Sequence, residues 1–232
     1  AWFVDRLTLG RRVHMEPGVR LDRSGLNGEL VVSPRISANI QVARNSRVKL
    51  SGGLFTQSAG YEKLLQSDYF VDLSAGTARQ LSSERSTHAI ATFEHDVSAA
   101  VTARVEGYYK TFDRLVIGRL ETPDETAARL ATYDFPASLA SSLPTAPQIT
   151  SVPGNGGSGN AYGFDVYLEK RQRAASDRLS GWASYTWGKA TLEAYGVRRP
   201  FDYDRRHSFS LVSTLRVSQR IDLGSTLRVA SG

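Results

Sequence analysis

The chain of 232 residues contains no cysteine. A disulfide framework and a cysteine metal site are thereby excluded, while cytosol, periplasm and outer membrane all stay open. Long apolar runs are missing too: hydrophobic residues make up 41% of the chain but are scattered singly, so no segment reads as a membrane-spanning helix. The longest uncharged stretch, Phe135 to Phe164, carries Pro136, Pro144, Pro147 and Pro153 and reads as a loop, because no lipid-embedded helix tolerates so many prolines. No signal peptide precedes Ala1 and no initiator methionine stands there, so the expectation is a mature product or a piece of a longer protein. The net charge is +6 and the isoelectric point about 9.7. The arginines are nevertheless spread along the chain, with neither a basic helix nor an aromatic–basic RNA-recognition signature, which argues against a nucleic-acid partner.

What the chain does have is alternation. Val13, Met15, Val19 and Leu21 oppose His14, Glu16, Arg20 and Asp22; Ile36, Ala38, Ile40 and Val42 oppose Arg35, Ser37, Asn39 and Gln41. The same split recurs with Val48, Leu50 and Leu54, with Val101, Ala103, Val105 and Tyr109, with Tyr162, Phe164, Val166 and Leu168, with Leu179, Ala183, Tyr185 and Trp187, and with Phe209, Leu211, Leu215 and Val217. Period two is the signature of a strand with one apolar and one polar face. About ten strands are expected: residues 2–9, 12–23, 30–42, 47–57, 84–96, 101–117, 161–172, 178–189, 206–217 and 222–229. A soluble, carbohydrate-binding β-sandwich would alternate as well, but its strands average about five or six residues, whereas these run about ten to thirteen, long enough to cross a bilayer at a tilt.

The glycines Gly154, Gly156 and Gly159 spell a G-x-G-x-x-G, yet a proline- and serine-rich segment precedes them and an alternating strand follows, so the strand-to-helix context of a dinucleotide site fails. The glycine run reads instead as the return limb of a long loop. Connections alternate between short (near Gly10, 43–46, 97–100, 173–177 and 218–221) and long (24–29, 58–83, 118–160 and 190–205), as in a barrel with tight periplasmic turns and long extracellular loops. Within the third long loop, Thr122 to Ala131 carries a capping residue, a proline and early acids, and predicts a short helix near 124–131.

Seven segments, in order, resemble the barrel of TonB-dependent outer-membrane receptors: MEPGVRLD (15–22), VVSPRISANIQV (31–42), RVKLSGGLFTQ (47–57), VEGYYKTFDRLV (105–116), GSGNAYGFDVYLEK (157–170), LSGWASYTWGKA (179–190) and DYDRRHSFSLVSTLRVS (202–218). The resemblance covers nearly the whole chain. It implies an all-β fold, an antiparallel up-and-down transmembrane β-barrel segment, with residues 1–232 forming a partial barrel domain without plug or C-terminal strand. It also implies residence in the bacterial outer membrane and energised import of a scarce solute of the siderophore, cobalamin or glycan class. Partners would be outer-membrane lipid and lipopolysaccharide, a plug domain, the TonB energy complex and the solute; a cofactor is not implied. A passive porin or an autotransporter-type translocator is the alternative within the same architecture.

No catalytic constellation emerges, and His14, His88, His95 and His207 include no pair at metal-ligand spacing on one face. Solute contacts are expected on long-loop aromatics: Tyr61, Tyr69 and Phe70, then Tyr133 and Phe135, then Tyr195, Phe201 and Tyr203. The polar strand faces are expected to line a lumen through Arg35, Arg104, Glu106, Asp165, Glu169 and Arg216. The acids Glu94, Glu106, Asp165 and Glu169 are expected to pair there with Arg35, Arg104 and Arg216. Arg198, Arg199, Arg205 and Arg206 are candidates for lipopolysaccharide phosphates.

Overall fold

The computed structural model describes residues 1–25, 27–58, 80–133, 144–174, 177–202 and 204–231. They form one antiparallel sheet. Its strands are β1 (Trp2–Val4), β2 (Leu7–Leu9), β3 (Val13–Arg23), β4 (Leu30–Ala43), β5 (Ser46–Gln57), β6 (Glu84–Asp96), β7 (Val101–Leu120), β8 (Ile149–Lys170), β9 (Leu179–Ala194), β10 (Val197–Pro200), β11 (His207–Ser218) and β12 (Ile221–Ala230), and helix α1 (Pro123–Ala131) lies between β7 and β8. Each long strand pairs with its sequence neighbours, and the order ends at β1 on one side and β12 on the other without closing. That is an up-and-down topology.

Alternation fixes the register. Leu9, Val13, Ile40, Val48, Phe93, Val105, Val166, Tyr185, Phe209 and Val229 stand directly opposite one another across ten successive strands. One residue along each strand, on the other face, the row reads Thr8, His14, Asn39, Lys49, Thr92, Glu106, Asp165, Thr186 and Ser208. A one-residue slip would exchange the two sets, so burial of either face selects this pairing. The usual burial pattern is inverted: among the described residues the buried apolar side chains are Val31, Leu81 and Leu192, whereas Ser33, Ser46, Ser83, Glu84, Thr92, Glu94, Thr102 and Thr126 are buried polar ones. Among the described residues no second sheet covers the apolar face, and Phe93, Val105, Val166, Leu168 and Leu215 are exposed on it.

The apolar face is a band of limited height. On β7 it runs from Val101 to Tyr109, within the ~9–11 residues of a tilted spanning strand. An aromatic cluster closes its upper edge: Tyr109 with Tyr162 (6.4 Å), Tyr162 with Trp187 (6.0 Å), Phe164 with Trp187 (5.9 Å) and with Tyr185 (6.1 Å). The next row on the same face is Thr87, Thr111, Asn160 and Thr191.

Three expectations require correction. The first strand is broken at Asp5 and Arg6. The Asp5 carboxylate accepts from the Arg6 N–H (2.8 Å), and the gap lies beside Pro17, which has no N–H to give although its carbonyl accepts from the Asp5 N–H (3.0 Å). The segment 118–160 is not a loop throughout, because β7 continues to Leu120 and β8 begins at Ile149, so the glycine run is strand. Its glycines admit close neighbours: a Cβ on Gly157 would sit 3.0 Å from Leu115 Cβ and 3.1 Å from Ile117 Cγ2. The link 190–205 likewise holds the end of β9 and all of β10, which pair through a turn with Tyr195 at φ 56° and Gly196 at φ 75°. The expected short helix is α1, capped by Thr122 and Glu125 in a reciprocal capping box with a proline in the first turn.

Candidate functional site

The polar face of β3–β12 carries the candidate chemistry. Arg35, Arg104, Glu106, Asp165, Glu169 and Arg216 all stand on it by register. The expected acid–arginine ladder is not what the register builds. Glu94 lies between Arg47 and Arg104 on the flanking strands. It is taken by Arg47 Nε (2.7 Å) and Lys49 Nζ (2.9 Å) from the β5 side. Glu106 accepts from Thr92 (2.8 Å), Asp165 accepts from Thr186, and Glu169 pairs with Arg171 (3.1 Å). Arg216 bonds Asp222 directly across the final hairpin (3.1 Å).

Three other cations of this face lie on rings. The Arg104 guanidinium is 4.9 Å from the Tyr167 centroid, and Tyr167 stacks on Trp182 at 6.0 Å. Arg35 is 5.8 Å from Phe55 and Lys110 Nζ is 5.1 Å from Tyr108. Arg47, Lys49 and Lys110 alternate with Val48, Leu50 and Tyr109 and so share this face. Tyr108, Tyr167 and Trp182 are on it as well, by parity with Arg104 on β7, Asp165 on β8 and Thr186 on β9.

At the loop end, side chains tie three connections together. Asn155 on β8 accepts from Ser82 N–H (2.8 Å) and donates to the carbonyls of Ser82 (2.9 Å) and Arg114 (2.8 Å). Glu29 accepts from Ser83 N–H (2.7 Å) and is 3.7 Å from Arg114, Asn27 donates to the Leu81 carbonyl (2.6 Å), and Glu84 accepts from Val116 N–H (2.8 Å). Asn155 sits in the glycine run and carried no signal of this role in the sequence.

The tip of the β7–β8 hairpin is fixed by ion pairs. Arg129 holds Glu121 (2.7 and 3.0 Å) and reaches the carbonyls of Pro144 (3.0 Å) and Ala146 (3.1 Å). Hydrogen bonds from Arg129 and from the Gln148 N–H hold the Glu121 carboxyl down to about 2, and Arg119 with the Thr122 N–H does the same for Glu125, also about 2.

Of the expected loop contacts, Tyr61, Tyr69, Phe70, Phe135 and Tyr203 lie outside the described residues. Tyr133 follows α1, its N–H on the Leu130 carbonyl (3.3 Å), and is half-exposed. Tyr195 sits at the β9–β10 tip, where its hydroxyl donates to the Gly118 carbonyl, so it joins two hairpins. Phe201 packs its backbone against Ala190 (3.0 Å) with its ring partly exposed. The arginine cluster is largely neutralised: Arg198 pairs with Glu193 (2.8 Å), Arg199 with Asp202, and Arg206 with Asp204 (2.6 Å). Among the described residues no group of His, Cys, Asp and Glu is placed to hold a metal ion.

In sequence, no protein-family model and no curated protein matches the chain. In structure it is similar to the ferric-catecholate import receptor Fiu of Escherichia coli K12, at 13% identity and TM-score 0.67, over 98% of this chain and 33% of that one. It is also similar to the FrpB iron transporter of Neisseria meningitidis (10%, TM-score 0.64, 98% and 32%) and to the alcaligin outer-membrane receptor FauA of Bordetella pertussis (15%, TM-score 0.59, 99% and 36%). The architecture is thus that of an open section of an outer-membrane β-barrel. More particularly, the fold is that of the barrel section of TonB-dependent outer-membrane receptors, and the chain spans about a third of the length of the solved chains it matches.

Proposed function

We propose that the chain is part of the wall of an outer-membrane receptor that imports a scarce solute, of the siderophore, cobalamin or glycan class, with TonB-coupled energy. The observation that carries this reading is the continuous two-faced sheet: an apolar band about one bilayer tall, edged by aromatics, backed by a hydrogen-bonded polar face. In lipid, unpaired strand edges leave backbone polar groups without partners, so β1, β2 and β12 each call for a further strand on the open side. Closure by additional strands of the same protein would turn the polar face, with Arg35, Arg104, Glu106, Asp165, Glu169 and Arg216, into a lumen wall. A plug domain would occupy that lumen and receive force from the energy complex. The structural neighbours are receptors and transporters, and the reading assigns no catalysis to this chain.

The test is solute binding and uptake by the full-length protein in cells with and without the inner-membrane energy complex. Binding persists and import stops without the complex. Unchanged import in its absence would replace this reading by that of a passive porin.

A further inference from the structure

We infer that the short-turn end of the sheet is a docking edge for the phosphate headgroups of anionic phospholipid. The inference rests on the membrane-wall part of the proposed function, not on import, and it names the lipid chemistry that one end of the wall would select. The two edges of the apolar band are built differently. Tyr109, Tyr162, Phe164 and Trp187 close the loop side, whereas among the described residues no Tyr or Trp stands on the apolar face between the Tyr185 row and the turns. Apolar side chains run on to the turns instead: Leu9, Val42, Leu168, Leu179 and Ile221 are all exposed. Each has a cation one or two positions away in the chain, respectively Arg11, Arg44, Lys170, Arg178 and Arg220. Four of the five short turns repeat this pairing, and the fifth, 97–100, is uncharged.

The charges of these cations are unmatched. All five are exposed, and among the described residues none forms an ion pair. The acids of the same end are engaged elsewhere: Glu169 by Arg171 (3.1 Å), Asp222 by Arg216 (3.1 Å), Asp96 by Thr102 (2.8 Å) and Asp177 by the Arg173 and Ala174 N–H groups (2.9 and 3.1 Å). The loop end is the reverse, with Arg114 beside Glu29, Arg119 on Glu125, Arg129 on Glu121 and Arg198 on Glu193. Lys170 shows the geometry most directly, since it shares the apolar face with Val101 and Gly181 on the flanking strands, one row beyond Leu168. A lysine stem lies along apolar surface while its ammonium reaches the interface, and the anion waiting there is a headgroup phosphate. One cation beside an anionic bilayer surface contributes about 1 kcal/mol, or a preference of about fivefold.

The probes are spin-labelled phosphatidylglycerol and phosphatidylcholine, each added at trace level to phosphatidylcholine vesicles that hold the full-length protein. The motionally restricted fraction of the label reports association with the protein surface. Averaged over the whole lipid shell, phosphatidylglycerol is preferred about twofold to threefold. The Arg44→Gln, Lys170→Gln, Arg178→Gln, Arg220→Gln quadruple variant brings the two lipids level, and Arg198→Gln at the loop end leaves the preference as it was. Raising the salt to about 0.5 M levels the two lipids for the unaltered protein as well, because screening weakens exposed charge contacts; this arm decides the matter should the quadruple variant not reconstitute. Equal association at low salt would overturn the inference, as would a preference that survives the quadruple variant or high salt, or one that Arg198→Gln removes. Equal association together with retention of the protein by a soluble polyanion would assign the turn cations to a soluble partner and overturn it too. The measurement needs neither solute nor an energised membrane, so its failure and the failure of the import reading are separable.

Discussion

Gly163 and Gly188 face each other on β8 and β9, and Tyr108 on β7 covers the pair. A Cβ on Gly163 would lie 2.3 Å from the Trp187 carbonyl and 2.7 Å from the Tyr108 hydroxyl, so both backbone and ring would have to move. Gly163→Val is expected to lower stability by about 1–3 kcal/mol, the usual range for overpacking, read as a lower urea midpoint for the full-length protein in lipid. On the opposite face the sign of the chemistry reverses. Val166 occupies the central row of the apolar band, and Val166→Arg should cost about 2–4 kcal/mol in a bilayer, as a charge does near a midplane. Leu211→Arg, one row nearer the turns, should cost less, and Ser210→Arg, on the polar face, least. Parallel unfolding of the three variants in vesicles checks the order, and equal costs would place the band wrongly.

Helix α1 and its clamps act as one element. Glu121 and Glu125 are held at about 2 against an ordinary 4.5. Because the folded values are depressed, this contribution is complete above pH 4.5 and is lost as pH falls through about 2. Carboxyl carbon shifts of the two residues should therefore titrate with midpoints near 2, and Arg129→Gln should move that of Glu121 upward. Thr122→Ala removes the cap and should cost the helix about 1 kcal/mol, seen as faster amide exchange over 123–131. The same hairpin marks where sequence reading succeeds and stops. Thr122, Pro123 and Glu125 announce the helix start chemically, so α1 was expected. Ile149 to Asn160 was not expected as strand, because Gly154, Gly156, Gly157 and Gly159 carry no side-chain parity and the prolines suggested irregular backbone. The strand exists there because β7 supplies the partner. Faces of the strands were readable from alternation alone, but partners on the polar face were not: which carboxylate meets Arg104 depends on register between strands, a non-local quantity.

At the scale of the whole sheet, the polar staple around Asn155 links the β3–β4 connection, the segment before β6 and the β7–β8 hairpin. Asn155→Leu leaves the Ser82 N–H and carbonyl unpaired and should cost about 1–3 kcal/mol locally, with limited proteolysis near residues 80–83 accelerating while the spanning strands stay protected. Register irregularities in the ladder occur between Gln41 and Ala43, between Arg216 and Ser218, and from Phe112 outward on β7. All lie at the ends of strands or above the apolar band, and the rows from Leu9 to Val229 cross it unbroken. For heredity, this makes the band intolerant of odd-numbered change. Losing one codon between Val101 and Tyr109 would turn every later side chain of β7 to the wrong solvent, whereas a codon gained or lost in a connection leaves the parity of both flanking strands intact. A lineage carrying this gene should accumulate its insertions and deletions in the long connections, and keep the spacing of its spanning strands fixed while their amino acids drift freely within each parity.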